Sequence, residues 1–192
     1  MLLSRFSYLL LLFVCSFGMM TLTGCDDDDD PEPENEEELI TFLSLTLTPV
    51  GGGDAVSFIF EDEDGDGGMA PEVTVSGPLD ANTTYEGELL LAGGDDGDED
   101  ITAEVREEDD EHQVFYLITG GSLTISYDDE DGDGNPLGLS TTATTGQAGG
   151  GQLQVILRHE PNKSAPGITI DNPTPAGGET DIEVTFNYSI QP

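Results

Sequence analysis

Tryptophan is absent from this sequence, cysteine and histidine occur twice each, and only four residues are Lys or Arg. Each shortage excludes something. Without Trp there is no indole platform for stacking a sugar ring, and among 41 acidic residues no carboxylate pair stands out as a glycosidase pair. A formal net charge of −37 rules out a phosphate-tracking surface for nucleic acid and sets the chain against anionic lipid. The same charge points to cations as partners, or to high ionic strength, where screening relieves self-repulsion. Gly-x-Ser-x-Gly and phosphate-loop patterns are missing, and so is a cysteine placed as a nucleophile. The expectation is a protein that is not an enzyme.

Long apolar runs are missing too. The longest, Tyr8 to Met20, falls short of the roughly 20 residues that cross a bilayer, but it suits the apolar part of a secretory signal. Arg5 supplies the positive charge before it. Leu22-Thr23-Gly24-Cys25 follows and resembles the lipobox of bacterial lipoproteins. That resemblance implies removal of residues 1–24 and lipidation of Cys25, with two or three acyl chains holding the protein to a membrane where one holds it only marginally. The other cysteine, Cys15, leaves with the signal, so the mature chain has no disulfide. Its remaining bases are Arg106, Arg158 and Lys163.

Residues 25–38 open with Asp26–Asp30 and continue through two prolines and more Glu, a composition that self-repels and stays extended as a tether. An acidic run directly behind a lipidated Cys resembles the surface-export signal of one group of gram-negative bacteria. Under the enteric rule, Asp after the Cys would instead retain the protein in the inner membrane. The run of five favours the outer membrane and its surface, with an outer-membrane transporter or another surface protein as the expected kind of partner.

Removing 24 of 192 residues leaves 168, enough for a single domain over residues 39–192. Period-two alternation dominates it: Leu43, Leu45, Leu47; Val56, Phe58, Phe60; Val73, Val75; Leu89, Leu91; Phe115, Leu117; Leu123, Ile125, Tyr127; Leu153, Val155, Leu157. The clearest run sets Ile182, Val184, Phe186, Tyr188 and Ile190 against a wet face of Asp181, Glu183, Thr185, Asn187 and Ser189. Gly, Pro and Asp-Gly clusters divide the runs at short intervals. This predicts an all-β, antiparallel β-sandwich with one short helix, from Asp100 to His112. The stretch Val56–Gly68 aligns with Leu123–Asn135 at an offset of 67 residues, and Gly87–Leu91 echoes Gly151–Val155. Two related halves, one to each sheet, are the expected arrangement.

Inside that repeat lies the plainest chemical motif. Asp62, Asp64 and Asp66 precede Gly67, and Asp129, Asp131 and Asp133 precede Gly134, so three carboxylates at alternate positions meet a turn-permitting residue. Ca²⁺ takes six to eight oxygens, and such loops can wrap around it. The position where an EF-hand places its bidentate Glu holds Val73 and Ser140, which implies weak affinity, and Asp-Gly pairs also serve simply as hairpin turns, in which case the chain is a protein-interaction module whose acidic loops only solubilise it. A second candidate is a transition-metal site, Zn²⁺ for example. His112, at the end of the expected helix and one turn beyond Glu108, would share it with His159 if the fold brought the two histidines together.

Several segments also resemble a group of small exported lipoproteins often labelled "type 1 periplasmic binding fold superfamily protein". They are Asp62–Gly68, Asn82–Tyr85, Glu111–Gln113, Leu157–Ser164 and Gly177–Val184, within a stretch from about Glu38 to Gln191. The resemblance implies an exported, anchored protein and carries no settled activity. The label itself denotes a two-lobed α/β structure, which a mature chain of 168 residues with this alternation does not form.

Overall fold

A computed structural model describes residues 39–65, 67–93 and 99–192, all within one of the two units into which the chain divides, Glu36–Pro192. The signal, Cys25, the tether and Asp66 lie outside the described residues. Alternation becomes strand as expected. The elements are β1 (Ile40–Pro49), β2 (Val56–Glu61), β3 (Glu72–Val75), β4 (Leu79–Asp80), β5 (Thr84–Gly93), α1 (Ile101–Glu107), β6 (His112–Gly120), β7 (Leu123–Tyr127), β8 (Ser140–Thr145), β9 (Gly149–His159) and β10 (Glu179–Gln191). They form a six-stranded sheet, β3-β2-β1-β5-β8-β7, and a four-stranded sheet, β4-β10-β9-β6. All pairings are antiparallel except that of the two-residue β4, which runs parallel to β10. The protein is an all-β sandwich with one short α-helix.

Leu43, Leu45, Leu47, Phe58, Leu89 and Leu91 from the larger sheet share one core with Val114, Tyr116, Leu153, Val155, Leu157, Val184 and Phe186 from the smaller. Phe58 and Phe186 meet edge to face across it, centroids 5.6 Å apart, a geometry that adds to the area they bury. On β6 the inward residues are Val114, Tyr116 and Ile118, not the expected Phe115 and Leu117. Those two face outward, where Phe115 packs with Ile156 and Ala176, and Leu117 and Ile168 close against them. Segment 161–178 thus covers the outer face of β6 and β9. A strand buried on both faces reads as a continuous apolar run and does not reveal which face is which.

The repeated stretches share a sheet. Both β2 and β7 lie in the six-stranded sheet, so the halves are not divided one to each sheet. Following the antiparallel pairings β2–β1–β5–β8–β7, β2 and β7 run in the same direction, and their Asp-rich loops leave the same end of that sheet. The helix is shorter than expected. Asp100 caps its start by accepting from the amide of Ala103, and Ile101 and Val105 are buried as read. It stops at Glu107 because the following Glu108-Asp109-Asp110-Glu111 offers no apolar residue to bury and sets like charges a turn apart. His112 therefore begins a strand instead of ending a helix.

A candidate metal centre

Three strand ends build the site. His112, first in β6, stands directly opposite His159, last in β9. Both fall on the inward side of the sheet by alternation with Val114 and Leu157, and their rings lie 4.5 Å apart, tilted by 30°. The third member comes from β10, whose register against β9 shifts between Thr180 and Ile182: Thr180 pairs with Arg158 and Ile182 with Leu157, leaving Asp181 as the extra residue of a β-bulge. Regular alternation would keep Asp181 on the wet face with Glu183. A bulge re-aims a side chain in just this way, and Asp181 turns in toward the two rings. Gly178 lets β10 start here: at φ +72° it adopts a left-handed backbone, and a Cβ would lie 2.3 Å from the carbonyl oxygen of His159.

The distances define a small, closed group. Nε2 of His112 is 4.0 Å from Oδ2 of Asp181, and Nδ1 of His159 is 3.8 Å from Oδ1. One ligand atom from each of the three residues can be chosen so that all lie within 4.8 Å of one another. His112 is fully buried and His159 is 4 % exposed. Nε2 of His112 and both nitrogens of His159 are buried without a hydrogen-bond partner, a condition that buried polar atoms seldom tolerate unless an ion or water completes them. Nδ1 of His112 sits 3.2 Å from the carbonyl oxygen of Glu108. A carbonyl only accepts, so Nδ1 carries the proton and Nε2 keeps its lone pair. Burial pushes the His112 pKa below its ordinary value and the neighbouring His159 adds to this, while the Glu108 carbonyl and the charge of Asp181 oppose them.

Two imidazole nitrogens and a carboxylate oxygen suit Zn²⁺ and its transition-metal neighbours; Ca²⁺ wants oxygens alone. Of the residues expected here, His112 and His159 do meet. Glu108 contributes its backbone carbonyl, and its carboxylate is not in the group. It is the residue that caps α1, its N–H bonded to the carbonyl of Glu104. Asp181 was hidden by the alternation, and only the Gly177-Gly178 pair ahead of it hints at irregular backbone. Nothing in the run of like charges sets Glu111 apart; its Oε2 lies 3.9 Å from Nε2 of His159, with the side chain half exposed.

The Asp-rich loops are wired differently from this centre. In the second, Asp129 accepts from the amides of Gly138 and Ser140 at 2.7 and 2.9 Å, one on each oxygen. Asp131 is buried. Its Oδ1 accepts from the amides of Asp133 and Asn135, and its Oδ2 takes the Lys163 ammonium at 3.0 Å and the Asn135 side chain. Burial alone would raise the pKa of Asp131, but the Asn135 donors and Lys163 outweigh it and hold it down to about 2. Asp133 is exposed. The cation beside this loop is thus the protein's own. In the first loop Asp64 is exposed and accepts from the amide of Met69, while Oδ1 of Asp62 is buried with no hydrogen-bond partner. The His112–His159–Asp181 cluster is, among the described residues, the group of three or more that meets the spacing of a metal site.

Among the described residues no helix is long and apolar enough to cross a membrane. No family model matches the chain, and no curated protein and no solved structure matches it.

Proposed function

We propose that this protein is a non-enzymatic, lipid-anchored lipoprotein of the outer-membrane surface that binds a transition-metal ion, with Zn²⁺ the best-suited probe, through His112, His159 and Asp181. One observation carries the reading: three imidazole nitrogens are buried without hydrogen bonds, and two of them face the same carboxylate. Two neutral imidazoles and a carboxylate are three of the four ligands a tetrahedral Zn²⁺ takes, with bonds of roughly 2.0–2.2 Å. One ligand atom from each residue lies within 4.8 Å of the others, so the three side chains have to draw together to share one ion. The near-complete burial of all three side chains favours retention of the ion over rapid exchange. Anchoring rests on Leu22-Thr23-Gly24-Cys25, and surface exposure on the acidic run behind it.

A second reading keeps Ca²⁺ at the first Asp-rich loop. Its support is the buried, unpartnered Oδ1 of Asp62, at a pocket of about 180 Å³ lined by Glu61, Asp62, Glu63 and Glu72 together with Met69 and Ala70. Thermal melts of the chelator-stripped protein with Zn²⁺ or Ca²⁺ separate the two. An ion at a hundredfold excess over its Kd stabilises the native state by about 2.7 kcal/mol. A rise with micromolar Zn²⁺, lost in His112→Ala, supports the first reading; a rise with millimolar Ca²⁺ alone, lost in Asp62→Asn, supports the second.

A further inference from the structure

The two histidines present different atoms to Asp181, and the turn before β6 accounts for the difference. We infer that Glu111 is a positioning residue of the metal centre: it accepts the Nε2–H of His159, so that His159 binds the ion through Nδ1 while His112 binds through Nε2. The inference rests on the metal reading above.

A neutral imidazole has one donor nitrogen and one acceptor, and the partner of the first decides the role of the second. For His112 the partner is the Glu108 carbonyl at Nδ1, which leaves Nε2 to face Asp181. For His159 the geometry is mirrored. Its Nδ1 faces Asp181 and its Nε2 faces the Glu111 carboxylate. The two nitrogens of one ring point in different directions, so a single ion shared with His112 and Asp181 uses Nδ1 and leaves Nε2 toward Glu111. A carboxylate on the far nitrogen of a ligating histidine fixes its tautomer and raises its basicity.

The present gap of 3.9 Å is longer than a hydrogen bond, and the local structure shows what can close it. The backbone of the turn is held on several sides. The amide of Glu111 donates to the Glu108 carbonyl and the Glu160 amide donates to that of Glu111, while Lys163 donates to the carbonyl of Asp109. The Glu111 side chain, in contrast, is 53 % exposed. Rotation of that side chain alone, by about 1 Å at its oxygen, makes the bond.

The test uses the whole purified protein with ¹⁵N-labelled histidine, in which His112 and His159 give the only two imidazole signals. Long-range ¹H–¹⁵N spectra during a Zn²⁺ titration report which nitrogen is coordinated. The expected pattern is Nε2 for His112 and Nδ1 for His159, with the proton of His159 on Nε2. Glu111→Ala should weaken Zn²⁺ binding about 10- to 100-fold and blur the His159 tautomer. Glu111→Gln, which keeps an acceptor, should retain the tautomer and lose less than tenfold, and the metal-free melting temperature should not move in either. Zn²⁺ bound through Nε2 of both histidines would overturn the inference, as would unchanged affinity in Glu111→Ala, with the metal reading intact. A wild-type spectrum that does not respond to Zn²⁺ would overturn the metal reading and this inference together.

Discussion

The second Asp-rich loop and the His112–His159–Asp181 cluster are two buried polar sites solved in opposite ways. In the loop every oxygen of Asp129 and Asp131 has a donor from the protein itself, and Lys163 supplies the positive charge. In the cluster, three imidazole nitrogens are buried with no hydrogen-bond partner. The loop looks like an ion site in the sequence and is internally complete. Of the cluster the sequence shows the two histidines but not Asp181, and the cluster's donor set is one that could hold a metal ion. Carboxylate spacing alone does not say whether an ion is needed; satisfaction of each oxygen does.

Breaking the loop should have the largest effect on folding. Asp131→Ala leaves the Lys163 ammonium, itself only 5 % exposed, without its carboxylate, and removing one partner of a buried pair costs about 3–5 kcal/mol. Chemical denaturation of wild type and variant measures it. The corresponding change in the first loop, Asp64→Ala, removes an exposed side chain and should stay within about 0.5 kcal/mol. Equal costs in the two loops would show that the internal cation is not what distinguishes them.

Acid should separate the sites on the pH axis. Asp131 has a pKa near 2 in the folded protein, below the ordinary carboxylate value of about 3.9, so the unfolded chain takes up the proton first. The stability it contributes, on the order of 2 kcal/mol, is fully present above about pH 4 and lost as pH falls toward 2. His112 also has a lowered pKa. For a base, the unfolded chain again protonates first, so the metal-free protein should begin to lose stability as pH drops below about 6.5. Melts across pH 2–8 should show two windows, and His112→Ala should remove the upper one only. Smaller in stability but sharp in function, Asp181→Asn keeps the shape of the cluster and removes the charge. It should weaken Zn²⁺ binding at least tenfold, read by calorimetric titration.

How much of this the sequence discloses depends on how regular the local backbone is. Leu43 to Leu47 and Ile182 to Ile190 announce strands because one face is wet and one dry. On β6 that contrast disappears, since Val114, Phe115 and Tyr116 are all buried, and alternation there points to the wrong face. Asp181 misleads for the reverse reason. Its alternation is perfect on paper, but a bulge adds one residue to the strand and turns the side chain inward. Lys163 lies 32 positions from Asp131 in the chain, and no local pattern joins them. The pairing of His112 with His159 depends on the β6–β9 register, which only the assembled sheet fixes.

The most direct test of the central claim is a calorimetric titration of Zn²⁺ into the chelator-stripped wild-type protein and into a His112→Ala/His159→Ala double variant. Saturable binding of one Zn²⁺ per chain, weakened at least a hundredfold in the double variant while the Asp-rich loops are untouched, is the predicted result. Absence of binding in the wild type, or equal binding in both proteins, would contradict a metal centre at this cluster.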